Sequence, residues 1–239
     1  MTEDYREEKA REFCAFLGLK TEDCRLIAQA LTHSSYAHEV LNDPLASNQR
    51  LEFLGDAVLQ LVVSQYLYER YPDFPEGTLT RLRAALVCEA TLAAIAGKLQ
   101  LGRYFFMGKG EEASGGRRRS SNLADGMEAL LGALYLQGGF AAARNFIIPH
   151  LEPVLAEVLA RGGLYGDYKT ELQELVQKRG LGEVKYRILQ EEGPPHNRIF
   201  QAAVFIGDRQ WGVGEGRSKK EAEQEAACQA LRRLREGEK

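Results

Sequence analysis

Asn48-Gln-Arg-Leu-Glu-Phe-Leu-Gly-Asp-Ala-Val-Leu59 sets two carboxylates, Glu52 and Asp56, four positions apart inside an apolar run. From Glu52 to Arg70 the apolar residues Leu54, Val58, Leu61, Val62 and Leu67 recur near a 3.6-residue period, which predicts a helix that stops at Tyr71-Pro72. A second run, Leu123-Ala-Asp-Gly-Met-Glu-Ala-Leu-Leu131, sets Asp125 and Glu128 three positions apart. Spacings of three and four put both members of a pair on one helix face. A single acidic pair on a helix is commonly a solvated edge. Two pairs, each flanked by Leu, Val, Ala and Gly, weaken that explanation. A buried carboxylate without a partner is costly, and it takes up a proton or a cation. Arg50 is the only basic residue close to either pair. Two such pairs brought face to face make a four-carboxylate cage, a hard-oxygen site suited to Mg²⁺ or Mn²⁺.

The words around these carboxylates carry more. NQRLEFLGDAVL resembles the signature segment of the ribonuclease III family, and LADGMEALLGALYLQGG (123–139) resembles its second acidic segment. Between them, EGTLTRLRAALV (76–87) and GKGEEASGGRRRSS (108–121) are similar to family segments in the family's order. Upstream, Leu31-Thr-His-Ser-Ser-Tyr36 matches as well, so the likeness runs over residues 30–140.

Bulk properties set the frame. The 239 residues suit one or two domains, and 44% hydrophobic with 27% charged residues is ordinary for a globular protein. No apolar run is long enough to span a membrane. The start, MTEDYREEKAREF, is charged and lacks an apolar signal core, so a cytoplasmic location is expected. Cys14, Cys24, Cys88 and Cys228 are far apart, which indicates neither a zinc site nor a disulfide framework but reduced thiols. The net charge of −3 is uninformative by itself, because a nucleic-acid partner needs a local basic patch rather than a basic protein.

Within a first domain over 1–160, residues 5–160 read as helix after helix: beyond Glu52–Arg70, helices are expected over Thr78–Leu99, Leu123–Leu136 with a stop at Gly138-Gly139, and Ala141–Leu159. No alternating strand pattern interrupts them, so this domain should be all-α. Three glycines in residues 161–166 mark a linker. After it the period changes. Tyr168–Lys178 is helical, Val184–Gln190 alternates as a strand, and Arg198–Ile206 and Gln210–Glu215 are two more, joined by Gly207-Asp208, a hairpin signal. Ser218–Arg235 is a last helix. This α-β-β-β-α order over residues 167–239, ending in GEGRSKKEAEQEAACQAL, resembles a double-stranded-RNA-binding domain: a small α+β unit after the all-α one.

Local rules already point to an RNA surface there. Ser218 and Glu221 fit a capping box. Lys219 and Lys220 then fall in the first helical turn, where the helix dipole disfavours cations. A broken local rule marks function, and free N–H groups with two lysines form a phosphate clamp. The resemblance adds Thr170, Gln173 and Glu174 on the first helix as minor-groove contacts and His196 on a loop reaching a neighbouring groove. Such contacts read A-form shape and 2′-hydroxyls. Trp211 is read as core.

For the first domain the resemblance implies a Mg²⁺-dependent endoribonuclease, with Mn²⁺ a possible substitute, that hydrolyses double-stranded RNA and leaves short 3′ overhangs. Ribosomal RNA precursors and structured messengers are the implied substrates. Glu52, Asp56, Asp125 and Glu128 are the implied catalytic metal ligands, directly or through water. A symmetric homodimer is implied too, with Phe53 inserted into a partner's pocket. His33 is read as structural, and Arg117-Arg118-Arg119 as either a phosphate contact or a solvated loop. One position departs: where the family signature has Glu, this chain has Gln49, which removes an accessory charge but none of the four carboxylates. Two rivals stand beside this reading. A non-catalytic binder of duplex RNA would be favoured by a lost carboxylate, and none is lost. A hydrolase of small phosphate esters would have no use for the second domain.

Overall fold

A computed structural model describes residues 3–19, 24–160, 168–193 and 198–237. Two compact units divide the chain: Met1–Pro72 with Leu82–Ala156, and Asp73–Arg81 with Glu157–Lys239. The expected linker, 161–166, lies outside the described residues.

The helices in order are α1 (Glu3–Leu17), α2 (Arg25–Ala30), α3 (Ser34–Tyr36), α4 (Gln49–Arg70), α5 (Glu76–Val87), α6 (Glu89–Lys98), α7 (Leu101–Tyr104), α8 (Lys109–Ala113) and α9 (Ser120–Ala160). Helix α4 buries Leu51, Gly55, Val58, Leu59, Val62, Val63 and Leu67 on one face, as its periodicity requires. Its opposite face leaves Phe53, Leu61 and Tyr68 exposed. The core around it is filled by Phe13, Ile27, Leu31, Tyr36, Leu92 and Met127, all essentially without solvent contact.

Two expected boundaries change. Thr78–Leu99 is not one helix: Cys88 adopts extended backbone (ψ 154°) as the N-cap of α6. The Thr91 hydroxyl donates to the Ala85 carbonyl at 2.8 Å, so side-chain bonding closes the break that an Ala/Leu-rich sequence with no Gly or Pro beside Cys88 does not announce. The stretches on either side of Gly138-Gly139 are continuous as α9, but Gly139 has φ 68° and ψ −166°, a non-helical residue that kinks it. The glycine pair does interrupt the helix, by redirecting rather than ending it.

What brings the two acidic segments together is a crossing of α4 over α9 at glycine. A Cβ on Gly55 would stand 1.7 Å from the Glu128 carbonyl oxygen, and one on Gly132 2.3 Å from the Leu51 carbonyl oxygen. Only residues without side chains allow the backbones this close. Glu52 and Glu128 sit within a turn of that crossing.

The second unit contains α10 (Tyr168–Arg179), β1 (Val184–Glu192), β2 (Ile199–Ile206), β3 (Arg209–Gly216) and α11 (Lys219–Glu236). The strands form an antiparallel sheet in the order β1-β2-β3, with Gly207 at φ 61° in the tight turn between β2 and β3. Both helices pack on one face over Leu172, Val176, Val204, Ile206, Ala226, Ala230, Leu231 and Leu234, and Trp211 packs against this core. Helix α11 lies so close to β3 that a Cβ on Gly214 would be 2.3 Å from the Ala226 nitrogen. The α-β-β-β-α order read from the sequence is the order observed.

Candidate active site and RNA-binding surface

Glu52, Asp125 and Glu128 each place a carboxylate oxygen within 4.8 Å of the other two. Glu52 comes from the first turn of α4, and Asp125 and Glu128 from successive turns of α9. All three are half-buried. Asp56, one turn after Glu52, is exposed and stands outside this close group. The Gln60 amide donates to it at 3.4 Å.

The charges act on one another in one direction. Burial raises the Glu128 carboxyl to about 7, with the charges of Asp56, Asp125 and Glu52 adding to the effect. Burial and the charges of Asp125 and Asp56 raise Glu52. Asp125 is raised by burial and by the charge of Glu89, against an opposing contribution from His33. Among the described residues no lysine or arginine pairs with any of the four carboxylates. The site holds more negative charge than its surroundings neutralise, and a proton or a cation relieves it. Three convergent carboxylates fit a divalent ion with oxygen preference.

Two further charges act on Asp125, from Glu89 and from His33 of the Leu31–Tyr36 segment. Glu89 opens α6, and no spacing along the chain links it to Asp125. His33 caps α3: its Nδ1 accepts the Ser35 N–H at 3.2 Å. That is the structural role expected of it. The arginine run is mostly occupied. Arg117 donates to the carbonyls of Gly102 (2.9 Å) and Phe105 (2.7 Å) and to the Glu112 carboxylate. Arg119 pairs with Glu111 at 2.5 Å. Arg118 is exposed. Glu111 also accepts from the buried Asn122 amide at 2.8 Å, which ties α8 to the first turn of α9, one turn before Asp125.

In the second unit, the Ser218 hydroxyl accepts the Glu221 N–H at 3.2 Å. The Glu221 carboxylate accepts from Arg217 N–H at 2.7 Å rather than from Ser218, so the reciprocal half of the capping box is shifted by one residue. Lys219 and Lys220 are both exposed, with the Lys219 ammonium 5.8 Å from the centre of the Phe200 ring. Thr170, Gln173 and Glu174 are exposed along α10, opposite the Leu172 and Val176 that enter the core. His196 lies outside the described residues. Phe53 is 82% exposed, an unusual state for a large aromatic side chain, and it borders a cavity of about 650 Å³ shared with Leu26, Leu51, Leu54 and Leu136. None of the described helices is long and apolar enough to cross a membrane.

Comparison with known proteins agrees with this arrangement. Residues 23–154 match the family model described as Ribonuclease-III-like, and residues 168–234 match the double-stranded RNA binding motif. Ribonuclease 3 of Pelotomaculum thermopropionicum is 55% identical over 215 residues, covering 90% of this chain and 89% of that protein. Ribonuclease 3 of Bacillus cytotoxicus is 47% identical over 243 residues, covering 97% of each. The solved nuclease domain of ribonuclease III from Campylobacter jejuni, reported with flexibility in a region involved in dimer formation, superposes with a TM-score of 0.55. It is 40% identical and covers 59% of this chain and 95% of that one.

Proposed function

This chain belongs to the ribonuclease III family of endoribonucleases, and from that membership we propose that it hydrolyses double-stranded RNA at a Mg²⁺ site, leaving short 3′ overhangs. Residues 1–160 are the nuclease part and 167–239 the RNA-binding part. Precursors of ribosomal RNA and structured messengers in the cytoplasm are its substrates, and Mn²⁺ can replace Mg²⁺.

The observation that carries this reading is the convergence of Glu52, Asp125 and Glu128 within 4.8 Å without a basic partner. These three, with Asp56 exposed one turn away, would hold the ion directly or through water. Held there, a divalent ion would supply Lewis-acid polarisation of the phosphate and a bound water of lowered pKa. The chain's own residues do the rest. The α4–α9 crossing fixes the carboxylates before substrate arrives, so little reorganisation is needed at reaction. Gln49 leaves this set intact. Lys219 and Lys220 hold duplex phosphates at the start of α11, while Thr170, Gln173 and Glu174, together with His196, follow the minor groove. Two copies associate symmetrically, with Phe53 of one entering the cavity of the other. The exposure of Phe53 and the adjoining cavity support this.

The test is to incubate the protein with a long RNA duplex, with and without Mg²⁺, and measure product lengths and ends. Short duplexes appearing only with the ion are expected. Retention of duplex without cleavage under all divalent ions would favour the non-catalytic binder instead.

A further inference from the structure

The first member of Arg117-Arg118-Arg119 turns its donors into the chain. Its Nη1 reaches three carbonyls, those of Gly102 at 2.9 Å, Arg103 at 3.3 Å and Phe105 at 2.7 Å. These lie at the end of α7 and just beyond it, where a helix leaves its last carbonyls without internal partners. Its Nε donates to both oxygens of the Glu112 carboxylate on α8, at 2.6 and 2.8 Å. The backbones meet as well: a Cβ on Gly102 would stand 2.1 Å from the Arg117 carbonyl oxygen. One planar side chain thus fastens the end of α7 to α8.

Phe105 carries this grip to the acidic centre. It is buried, and its ring rests on the backbone of α9. A Cβ on Gly126 would stand 2.5 Å from the ring's Cζ and 2.6 Å from Cε1, and 3.2 Å from the Leu101 Cδ2. Gly126 directly follows Asp125 and comes two positions before Glu128. With no side chain there to give way, a displacement of the ring passes into the helix. One turn earlier the buried Asn122 amide donates to the Glu111 carboxylate at 2.8 Å and the Gly116 carbonyl at 3.0 Å. Helix α9 is therefore held at Asn122 and at Gly126, on either side of Asp125.

We infer that Arg117 is a positioning residue for the metal site: by fixing Phe105 against Gly126 it sets Asp125 and Glu128 at the separation from Glu52 that a divalent ion requires. This rests on the nuclease reading above. It also separates Arg117 from a phosphate contact, because Nε and Nη1 are committed to Glu112 and to the carbonyls. Lysine cannot substitute. Its single nitrogen keeps the charge but cannot reach a carboxylate and three carbonyls through a rigid fork.

The test compares the full chain with Arg117→Lys, Phe105→Leu and the double variant. Mg²⁺ is titrated into each protein without RNA by calorimetry, and single-turnover cleavage of a defined duplex is followed against Mg²⁺ concentration. Each single variant should bind Mg²⁺ about 10-fold more weakly, the loss expected when a partner that orients a metal ligand is removed. The Mg²⁺ needed for half-maximal cleavage should rise by the same factor, with most of the rate regained at saturation. Duplex affinity in EDTA and its salt slope should match wild type. The double variant should bind Mg²⁺ no more weakly than either single one, because the two residues act in series. The inference is overturned if either folded variant binds Mg²⁺ as wild type does, if Arg117→Lys weakens duplex binding in EDTA instead, or if the two effects multiply. Should Arg117→Lys fail to fold, Phe105→Leu decides, since it leaves every Arg117 bond in place, and wild-type Mg²⁺ affinity there overturns the inference. If wild type itself binds no divalent ion, the nuclease reading loses its metal and this inference falls with it. If wild type binds the ion and the variants bind it equally well, only the role of Arg117 falls.

Discussion

Glu128 is the residue on which the acidic site turns. Its carboxyl is raised to about 7 by burial and by three neighbouring charges, whereas an unfolded glutamate titrates near 4.5. Between those values the folded protein binds more protons than the unfolded chain, so this group makes stability fall as pH rises. In EDTA the melting temperature should therefore decline from about pH 4.5 to 7 through this site. Adding Mg²⁺ should raise it, and more at pH 8 than at pH 5, because the ion replaces the proton. Glu128→Gln keeps the shape and removes the charge. It should flatten that decline, melt higher than wild type in EDTA at pH 8, and cleave at least about 100-fold more slowly, since even outer partners of a metal ligand are worth that much. Duplex binding should survive. A variant that cleaves at wild-type rate across Mg²⁺ concentrations would remove Glu128 from the site.

Elements decide whether those residues meet. Gly55→Ala would put a methyl 1.7 Å from a backbone carbonyl oxygen, which α4 and α9 can relieve only by separating. Overpacking of this kind costs about 1–3 kcal/mol or more. The expected result is a lower melting temperature together with weakened Mg²⁺ stabilisation, because the same shift spreads Glu52 from Glu128. A Gly55→Ala protein with unchanged Mg²⁺ response would show that the crossing is not what sets the site. In the other unit, Lys219→Ala with Lys220→Ala should lower affinity for all duplex sequences alike and flatten the slope of log K against log salt by up to about two. An unchanged slope would mean that neither lysine meets phosphate. These elements differ in how legible they were. The α4 helix, its acidic pair, and the α-β-β-β-α order follow from period and turn residues alone. The break at Cys88 does not, since it depends on the Thr91 hydroxyl capturing a carbonyl. Gly55 and Gly132 look in sequence like weak points of helices, and their use as a contact appears only when both helices are seen. Glu89 on α6 and His33 before α3 act on Asp125 through their charge, and no spacing along the chain links them to it.

At the scale of the whole molecule, cutting two strands is a matter of symmetry. On the proposed reading, one acidic centre cuts one strand. The strands of a duplex run antiparallel and are related by local two-fold axes, so a two-fold pair of chains can present one centre to each strand. Two cuts made this way are offset, which is how overhangs arise. The pairing needs an apolar anchor, and Phe53, 82% exposed on the same helix as Glu52, is suited to be it. A buried aromatic commonly dominates the energy of an interface. Phe53→Ala removes that anchor from a position with little solvent protection in the single chain, so the fold should be barely affected while dimerisation weakens by about 2 kcal/mol or more, roughly 30-fold in dissociation constant. Sedimentation should show the variant shifting toward monomer at concentrations where wild type is dimeric. Mapping of both product ends should show coupled, staggered cuts giving way to single nicks, in proportion to the monomer present. Wild-type protein that sediments as a monomer and still makes coupled, staggered cuts would overturn the two-fold arrangement and leave only the chemistry of the single centre.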